Sequence, residues 1–230
     1  MGDSALILGH RLSEWCGHGP ALEEDIALAN TALDLIGQAR MWLTVAGRVE
    51  GSGRSADDLA FHRDAMDFRN LLIVERPNGD FGHTLMRQFL FDCHHLATLR
   101  ALSDAAPEIA EIAAKALKEV TYHQERSADL VLRLGDGSEE SHRRMQAALD
   151  ALWPYTGELR DPMPEMHDLA DTGADWAMMV GPVLSQATLS PPDLAHFQTG
   201  GRTGRMHSEH LGHLLAVMQS LPRAHPDATW

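Results

Sequence analysis

The residue types best suited to bind metal ions are histidines and carboxylates, and this sequence contains 14 histidines and 33 acidic residues. Helical bundles that hold two metal ions take a Glu-x-x-His pair from each of two helices, because that spacing places both side chains on one helix face. No such pair occurs on the four helices that we predict to form a bundle. The nearest pattern is Glu119 with His123, four residues apart, which can also share a face. Spacing alone therefore leaves a two-metal site open.

A second group of candidate ligands follows a glycine-rich loop near the C-terminus and consists of His207, Glu209, His210 and His213. Its order differs from the His-Glu-x-x-His pattern of zinc proteases. We predict instead that a helix begins near His207. The backbone N–H groups at its start could hold an anion, with Arg202 and Arg205 nearby.

The remaining patterns do not support nucleophilic or nucleotide chemistry. Cys93 is followed directly by His94 and His95, but adjacent helical residues point about 100° apart and do not form a catalytic pair. The sequence contains no phosphate-binding loop, dinucleotide fingerprint or serine nucleophile elbow. We therefore predict no catalytic and no cofactor-binding residue of these kinds.

The elements that position these residues are predicted to be helices throughout. Apolar residues recur every three to four positions and period-two alternation is scarce, which predicts an all-α chain. Ser138 is a candidate N-cap, and Gly181-Pro182 is expected to break or kink a helix. Residues 47–58, rich in glycine and serine, are predicted to form a loop. The predicted helices span residues 4–15, 20–46, a shorter segment ending at 74, 81–103, 108–134, 138–153, 164–188 and 207–221.

Four of these helices suggest a four-helix bundle with additional C-terminal helices, in a single domain over residues 1–230. The formal charge of −14 argues against nucleic-acid binding. No apolar run approaches the roughly 20 residues that a membrane helix needs. The start of the chain lacks the pattern of a signal peptide, and the two cysteines fit a reducing cytoplasm.

Five segments resemble the C-type subunits of the ferritin-like phenylacetyl-CoA epoxidase family, and the resemblance spans nearly the whole chain. They are RLSEWCG at 11–17, ALANTALDLIGQAR at 27–40, ERPNGDF at 75–81, KALKEVTYH at 115–123 and GGRTGRMHSEHLG at 200–212. The catalytic A-type subunits of this family share the fold and carry six iron ligands. The resemblance places those six positions on Glu14, Leu35, Gln38, Asp92, Val120 and His123.

Three of the six ligand types are retained, namely Glu14, Asp92 and His123. Leu35 and Val120 replace the two carboxylates that would bridge the metals, so the remaining carboxylates cannot balance four positive charges. We therefore expect no metal, no cofactor and no catalytic residue in this chain. Glu14, Asp92 and His123 are expected to form an inward-facing cluster, with a protonated His123 between the carboxylates and Gln38 as a further donor.

The resemblance implies a structural role in aerobic phenylacetate breakdown. A catalytic di-iron subunit would be the partner, among other subunits of the complex, and a flavin and iron–sulfur reductase would supply electrons. The isolated chain could also form a homodimer. Two alternatives remain open: a metal-binding oxidase that uses Glu14, Asp92 and His123 directly, and a stand-alone helical binding protein.

Overall fold

The computed structural model describes residues 1–161 and 171–226. Within these ranges the regular structure is helical, with no strand, which confirms the all-α prediction. The helices are α1 (Gly2–Ser13), α2 (Leu22–Glu50), α3 (Ala56–Phe61), α4 (Leu72–Glu75), α5 (Phe81–Ala101), α6 (Pro107–Gly135), α7 (Glu139–Leu152), α8 (Gly157–Arg160), α9 (Thr172–Gln186), α10 (Glu209–Met218) and α11 (Ser220–Ala224). Short 3-10 turns lie at Ala65–Asp67, Leu102–Asp104 and Trp153–Tyr155.

The glycine-rich segment after the second helix is less of a loop than predicted. Helix α2 continues to Glu50 and ends at Gly51, whose φ of 73° is the left-handed conformation that glycine adopts easily. Helix α3 then begins inside the predicted loop. Ser55 and Asp58 form a capping box there, in which each side chain accepts from the other residue's backbone N–H. The prediction was wrong because it weighed glycine content above these two end signals.

The C-terminal helices also differ from their predicted limits. Helix α9 continues past Pro182 to Gln186, so the predicted break does not occur. The predicted start of that helix, at residue 164, lies outside the described residues. Helix α10 begins at Glu209 rather than His207, with Ser208 as its N-cap. The N-cap of α7 is Ser138, as predicted, and it accepts a hydrogen bond from the backbone N–H of Ser141.

Internal contacts divide the chain into two compact units, Met1–Pro77 with Gly200–Trp230, and Asn78–Thr199. In the first unit, α1 lies along α2 and also contacts α4. A buried ion pair between Asp3 and Arg63 fixes α1 to the segment after α3, with Nη1 3.0 Å from Oδ2. Asp3 also accepts a hydrogen bond from the backbone N–H of Arg69 at 2.8 Å. These bonds compensate the cost of burying a carboxylate.

The second unit is built around α5, which is buried at every residue from Thr84 to Leu99. Helices α6, α7, α8 and α9 all contact it. A helix buried on all faces must be rich in apolar residues, and FLF at 89–91 shows this composition. Its start is capped by Asp80, which accepts from the backbone N–H of His83 at 2.8 Å.

Candidate functional site

The six positions implied by the family resemblance are shared equally between the two units. Glu14, Leu35 and Gln38 belong to the first unit, and the other three, Asp92, Val120 and His123, belong to the second. Each set is described within its own unit.

In the first unit, the position that could still supply a carboxylate faces solvent. Glu14 follows the last residue of α1, and its side chain is 47% exposed. Arg11 lies one turn earlier and donates from Nη1 to Oε1 of Glu14 at 3.0 Å. Leu35 and Gln38 lie on the buried face of α2, and both are fully buried. The carboxylate is thus paired with a cation at the surface, while the buried positions carry an aliphatic group and an amide.

In the second unit, Asp92 is fully buried in α5 and has two hydrogen-bond partners. Gln88 donates from Nε2 to Oδ1 at 2.6 Å, and Ser127 of α6 lies with its Oγ 2.9 Å from Oδ2. Burial raises the pKa of Asp92 to about 8, against the lowering effect of these two bonds. Asp92 is therefore a protonated carboxylic acid at neutral pH.

The neutral form is compatible with the contacts of both Asp92 oxygens. A protonated Oδ2 of Asp92 can donate to Ser127 Oγ, and Ser127 can then donate to the carbonyl of Gln124 at 3.2 Å. Gln88 and Ser127 were missed in the sequence. A signal for each exists: Gln88 lies four residues before Asp92, and Ser127 lies four residues after His123, one turn along the same helix face.

His123 and Val120 are both buried in α6. The imidazole of His123 packs edge-on against Tyr122, with ring centroids 6.5 Å apart. A further histidine, His95 of α5, is buried, and burial holds its pKa well below the ordinary value. The hydrogen-bond partners of Asp92 are thus a glutamine and a serine, and the expected role of His123 between two carboxylates stays a prediction.

The residues at these positions do not fit a pair of iron ions. Leu35 and Val120 are aliphatic and cannot bind a metal, Gln38 is an amide, and the Glu14 carboxylate pairs with Arg11. Among residues 1–161 and 171–226, no group of three or more His, Cys, Asp or Glu side chains is placed to hold a metal ion. No reaction step on a bound metal can be derived from this donor set.

His207, the first member of the C-terminal histidine cluster, contacts the buried Glu75 side chain. Glu75 is fully buried and accepts at Oε1 from Asn70 Nδ2 at 2.8 Å and at Oε2 from the Ser208 hydroxyl at 2.7 Å. The backbone N–H of Ser208 donates to the same Oε2 at 2.6 Å. His207 contacts Glu75 Oε1 through Nδ1 at 2.6 Å and the carbonyl of Phe68 through Nε2 at 3.2 Å.

The anion at the start of α10 is therefore the chain's own Glu75 carboxylate. The His207 imidazole thus contacts Glu75 and the carbonyl of Phe68 through its two ring nitrogens. The glycine-rich loop brings His207 to this place. Gly200 and Gly204 have φ values of 121° and 66°, and a Cβ on Gly201 would lie 2.5 Å from the carbonyl oxygen of Asn70.

The fold defines an all-α, ferritin-like protein, and the six positions implied by the family resemblance include two buried aliphatic residues. A sequence model of the family described as "Phenylacetic acid catabolic protein" matches residues 1–230, and the chain belongs to this family. It is similar to the C subunit of the 1,2-phenylacetyl-CoA epoxidase of Escherichia coli (strain K12). The two are 43% identical over 240 residues, which cover 100% of this chain and 96% of that protein. None of the described helices has the length and hydropathy needed to cross a membrane.

Proposed function

We propose that this chain is the non-catalytic structural subunit of a phenylacetyl-CoA epoxidase and pairs with a catalytic subunit of the same fold. The buried Leu35 and Val120 are the observation that carries this proposal, because two aliphatic side chains lie where the family resemblance implies carboxylates, and neither can bind a metal. The similarity to the C subunit of an epoxidase supports the assignment to the complex. The di-iron chemistry then belongs to the partner, and electrons come from a flavin and iron–sulfur reductase.

A structural subunit needs a surface for its partner, and α2 provides one. Four exposed aliphatic side chains form the α2 stripe: Leu22 at 72%, Ile26 at 52%, Leu33 at 67% and Ile36 at 36% exposure. Their separations of four, seven and three residues follow a heptad pattern, with Ala29 in the gap. Such a pattern is typical of a helix that packs along another helix. The partner proposed for the α2 stripe is therefore a bundle helix of the catalytic subunit.

Charge substitution on the stripe tests the pairing directly. Leu33→Glu should lower co-purification with the catalytic subunit by about tenfold or more, because it buries a charge in an apolar interface. Val49→Glu is the matched control. Val49 is 77% exposed on the same helix but lies about half a turn away from the stripe. Both variants should keep the helical circular dichroism of the parent chain. Equal assembly of the two variants would remove the α2 stripe as the interface.

A second experiment distinguishes a structural from a catalytic role. His123→Ala should assemble with the catalytic subunit and reductase and retain turnover within about tenfold of the parent complex. A complex that assembles normally but loses turnover about a thousandfold would establish the metal-dependent oxidase that uses Glu14, Asp92 and His123. Purification of the native chain without any second ferritin-like chain, alone or as a homodimer, would instead favour a stand-alone binding protein.

The proposed complex acts in the cytoplasm. Cys16 is exposed and Cys93 is buried, and both are free thiols, which suits a reducing compartment.

A further inference from the structure

The apolar α2 stripe is followed by an arginine at the position that continues it. Ile26, Leu33 and Arg40 follow one another at intervals of seven residues, so all three lie along one line of the helix surface. Ile26 is 52% and Leu33 is 67% exposed, and Arg40 is exposed as well. The next place along the line after Leu33 therefore presents a guanidinium group to a partner helix.

The guanidinium of Arg40 is not engaged within the described part of the chain. Among residues 1–161 and 171–226 its side chain makes no hydrogen bond and no ion pair, although its carbonyl accepts from the hydroxyl of Thr44 at 2.7 Å. By contrast, Arg11, Arg54 and Arg63 of the same unit each pair with a carboxylate of this chain. Arginine is enriched at interface hot spots and forms bidentate bonds with carboxylates. An arginine in this setting is complementary to an acidic side chain on the partner.

Beside this line, α2 contains a glycine that the fold of the chain does not require. Gly37 lies one turn after Leu33 and is exposed, and a Cβ placed on it would contact nothing within 4 Å. Glycine inside a helix is less favourable than alanine, because its backbone loses more freedom on folding. No close approach within the described residues accounts for glycine at this position.

Another glycine shows how helices of the first unit come close to one another. A Cβ on Gly9 of α1 would lie 3.0 Å from Cγ1 of Ile36 and 3.3 Å from the carbonyl oxygen of Ala32. The absence of a side chain at Gly9 therefore lets α1 approach one side of α2 closely. Gly37 offers the same opening on the exposed side of α2.

We propose that a helix of the catalytic subunit crosses α2 at Gly37 and places a carboxylate against Arg40. This inference rests on the proposed function, which supplies the partner, and adds the crossing point and the chemistry of the residue that α2 recognises. The apolar side chains of Ile26 and Leu33 exclude water along the contact, which strengthens a bond between guanidinium and carboxylate. The pair also fixes the register, because a shift of the partner helix would leave Arg40 against apolar side chains.

Two substitutions examine the two parts separately. Arg40→Met removes the charge and keeps a long apolar side chain, whereas Gly37→Leu closes the opening beside Leu33. The matched controls are Arg100→Met and Gly212→Leu. Arg100 is an exposed arginine in the last turn of α5, and a Cβ on Gly212 of α10 also meets open space. Neither leucine variant should lower the thermal unfolding midpoint, since leucine favours a helix more than glycine does.

The test is the dissociation constant between the full chain and the purified catalytic subunit, measured by calorimetric titration. Arg40→Met and Gly37→Leu should each raise it about tenfold or more, whereas the two controls should change it by less than about twofold. An increase in NaCl from about 0.05 M to about 0.5 M should weaken the parent complex more than the Arg40→Met complex, because salt screens the ion pair.

Leu33→Glu, measured in the same assay, distinguishes failure of this inference from failure of the proposed interface. If Leu33→Glu weakens binding but either Arg40→Met or Gly37→Leu binds as tightly as the parent chain, the inference is wrong and the α2 stripe remains the interface. If Leu33→Glu also binds as tightly as the parent chain, the catalytic subunit uses another surface and the inference fails together with the α2 stripe.

Discussion

At the residue scale, Asp92 is a carboxyl group that burial keeps protonated, and its protonation links stability to pH. Burial raises its pKa from 3.8 to about 8, so the folded chain holds a proton that the unfolded chain releases above pH 4 or so. The stability from this proton is fully present below about pH 4. It falls as the pH rises and is lost above about pH 8.

Asp92→Asn should abolish that pH dependence. The amide has the same shape, can donate to Ser127 and can accept from Gln88, so no buried group loses its bond. Between about pH 4 and pH 8 the unfolding free energy of the parent chain should fall by on the order of 1 kcal/mol per pH unit relative to the variant. Urea denaturation across this range measures the difference.

Asp129→Asn is the matched control for this measurement, because Asp129 is 64% exposed on α6. It should leave the pH slope of the parent chain unchanged. Parallel pH profiles for the parent and Asp92→Asn would show that Asp92 is ionised in the folded chain, contrary to our assignment.

Also at the residue scale, His207 is one of the hydrogen-bond partners of the buried Glu75 side chain. The His207 side chain is 4% exposed and that of Glu75 is fully buried, so the loss of His207 leaves Glu75 Oε1 buried with one partner fewer. His207→Ala should lower the unfolding free energy by about 3 kcal/mol. His213→Ala, on an exposed position of α10, should change it by less than about 0.5 kcal/mol. Similar unfolding midpoints for the two variants in urea would contradict a stabilising contact between His207 and Glu75.

At the scale of the element, α2 contains two glycines, of which one has room for a Cβ atom and the other does not. The loop after α2 passes so close to the helix that a Cβ on Gly47 would lie 2.2 Å from the carbonyl oxygen of Arg54. Only glycine fits at this position. A Cβ on Gly37 would contact nothing within 4 Å. The same substitution therefore has opposite consequences ten residues apart on one helix.

Gly37→Ala should raise the unfolding free energy by up to about 1 kcal/mol, the difference in helix propensity between the two residues. Gly47→Ala should lower it by about 2 kcal/mol, because the carbonyl of Arg54 must move. Thermal unfolding of the two variants beside the parent measures both effects. Stabilisation by Gly47→Ala would show that the loop after α2 moves away at little cost.

At the scale of the whole molecule, the poor fit of the six positions to iron predicts the metal content of the complex. The chain purified from iron-supplemented cells should contain well under one iron per chain. Elemental analysis should be performed beside the catalytic subunit from the same cells, whose retained iron shows that purification does not strip metal. About two iron ions per chain would refute the structural role proposed above.

Much of the secondary structure follows from the sequence alone. Helix periodicity and the caps of α7 depend on residues within four positions of each other, so neighbouring residues were sufficient to predict them. The replacement of ligand types by Leu35 and Val120 is also visible in the sequence, once the family resemblance identifies the positions. Pro182 and the glycines near α2 were misjudged, because contacts outside the local window decide whether a helix tolerates them.

The partners of the buried polar groups were decided only by the tertiary structure. Asp92 contacts Ser127, which lies 35 residues away in the sequence, and Glu75 contacts His207, which lies 132 residues away. Contacts between residues so far apart in the sequence depend on how each helix is rotated and packed. Hydrophobic burial over many residues determines that rotation. The protonation of Asp92 follows the same rule: the sequence supplies a carboxyl group, whereas burial in the folded unit holds its proton at neutral pH.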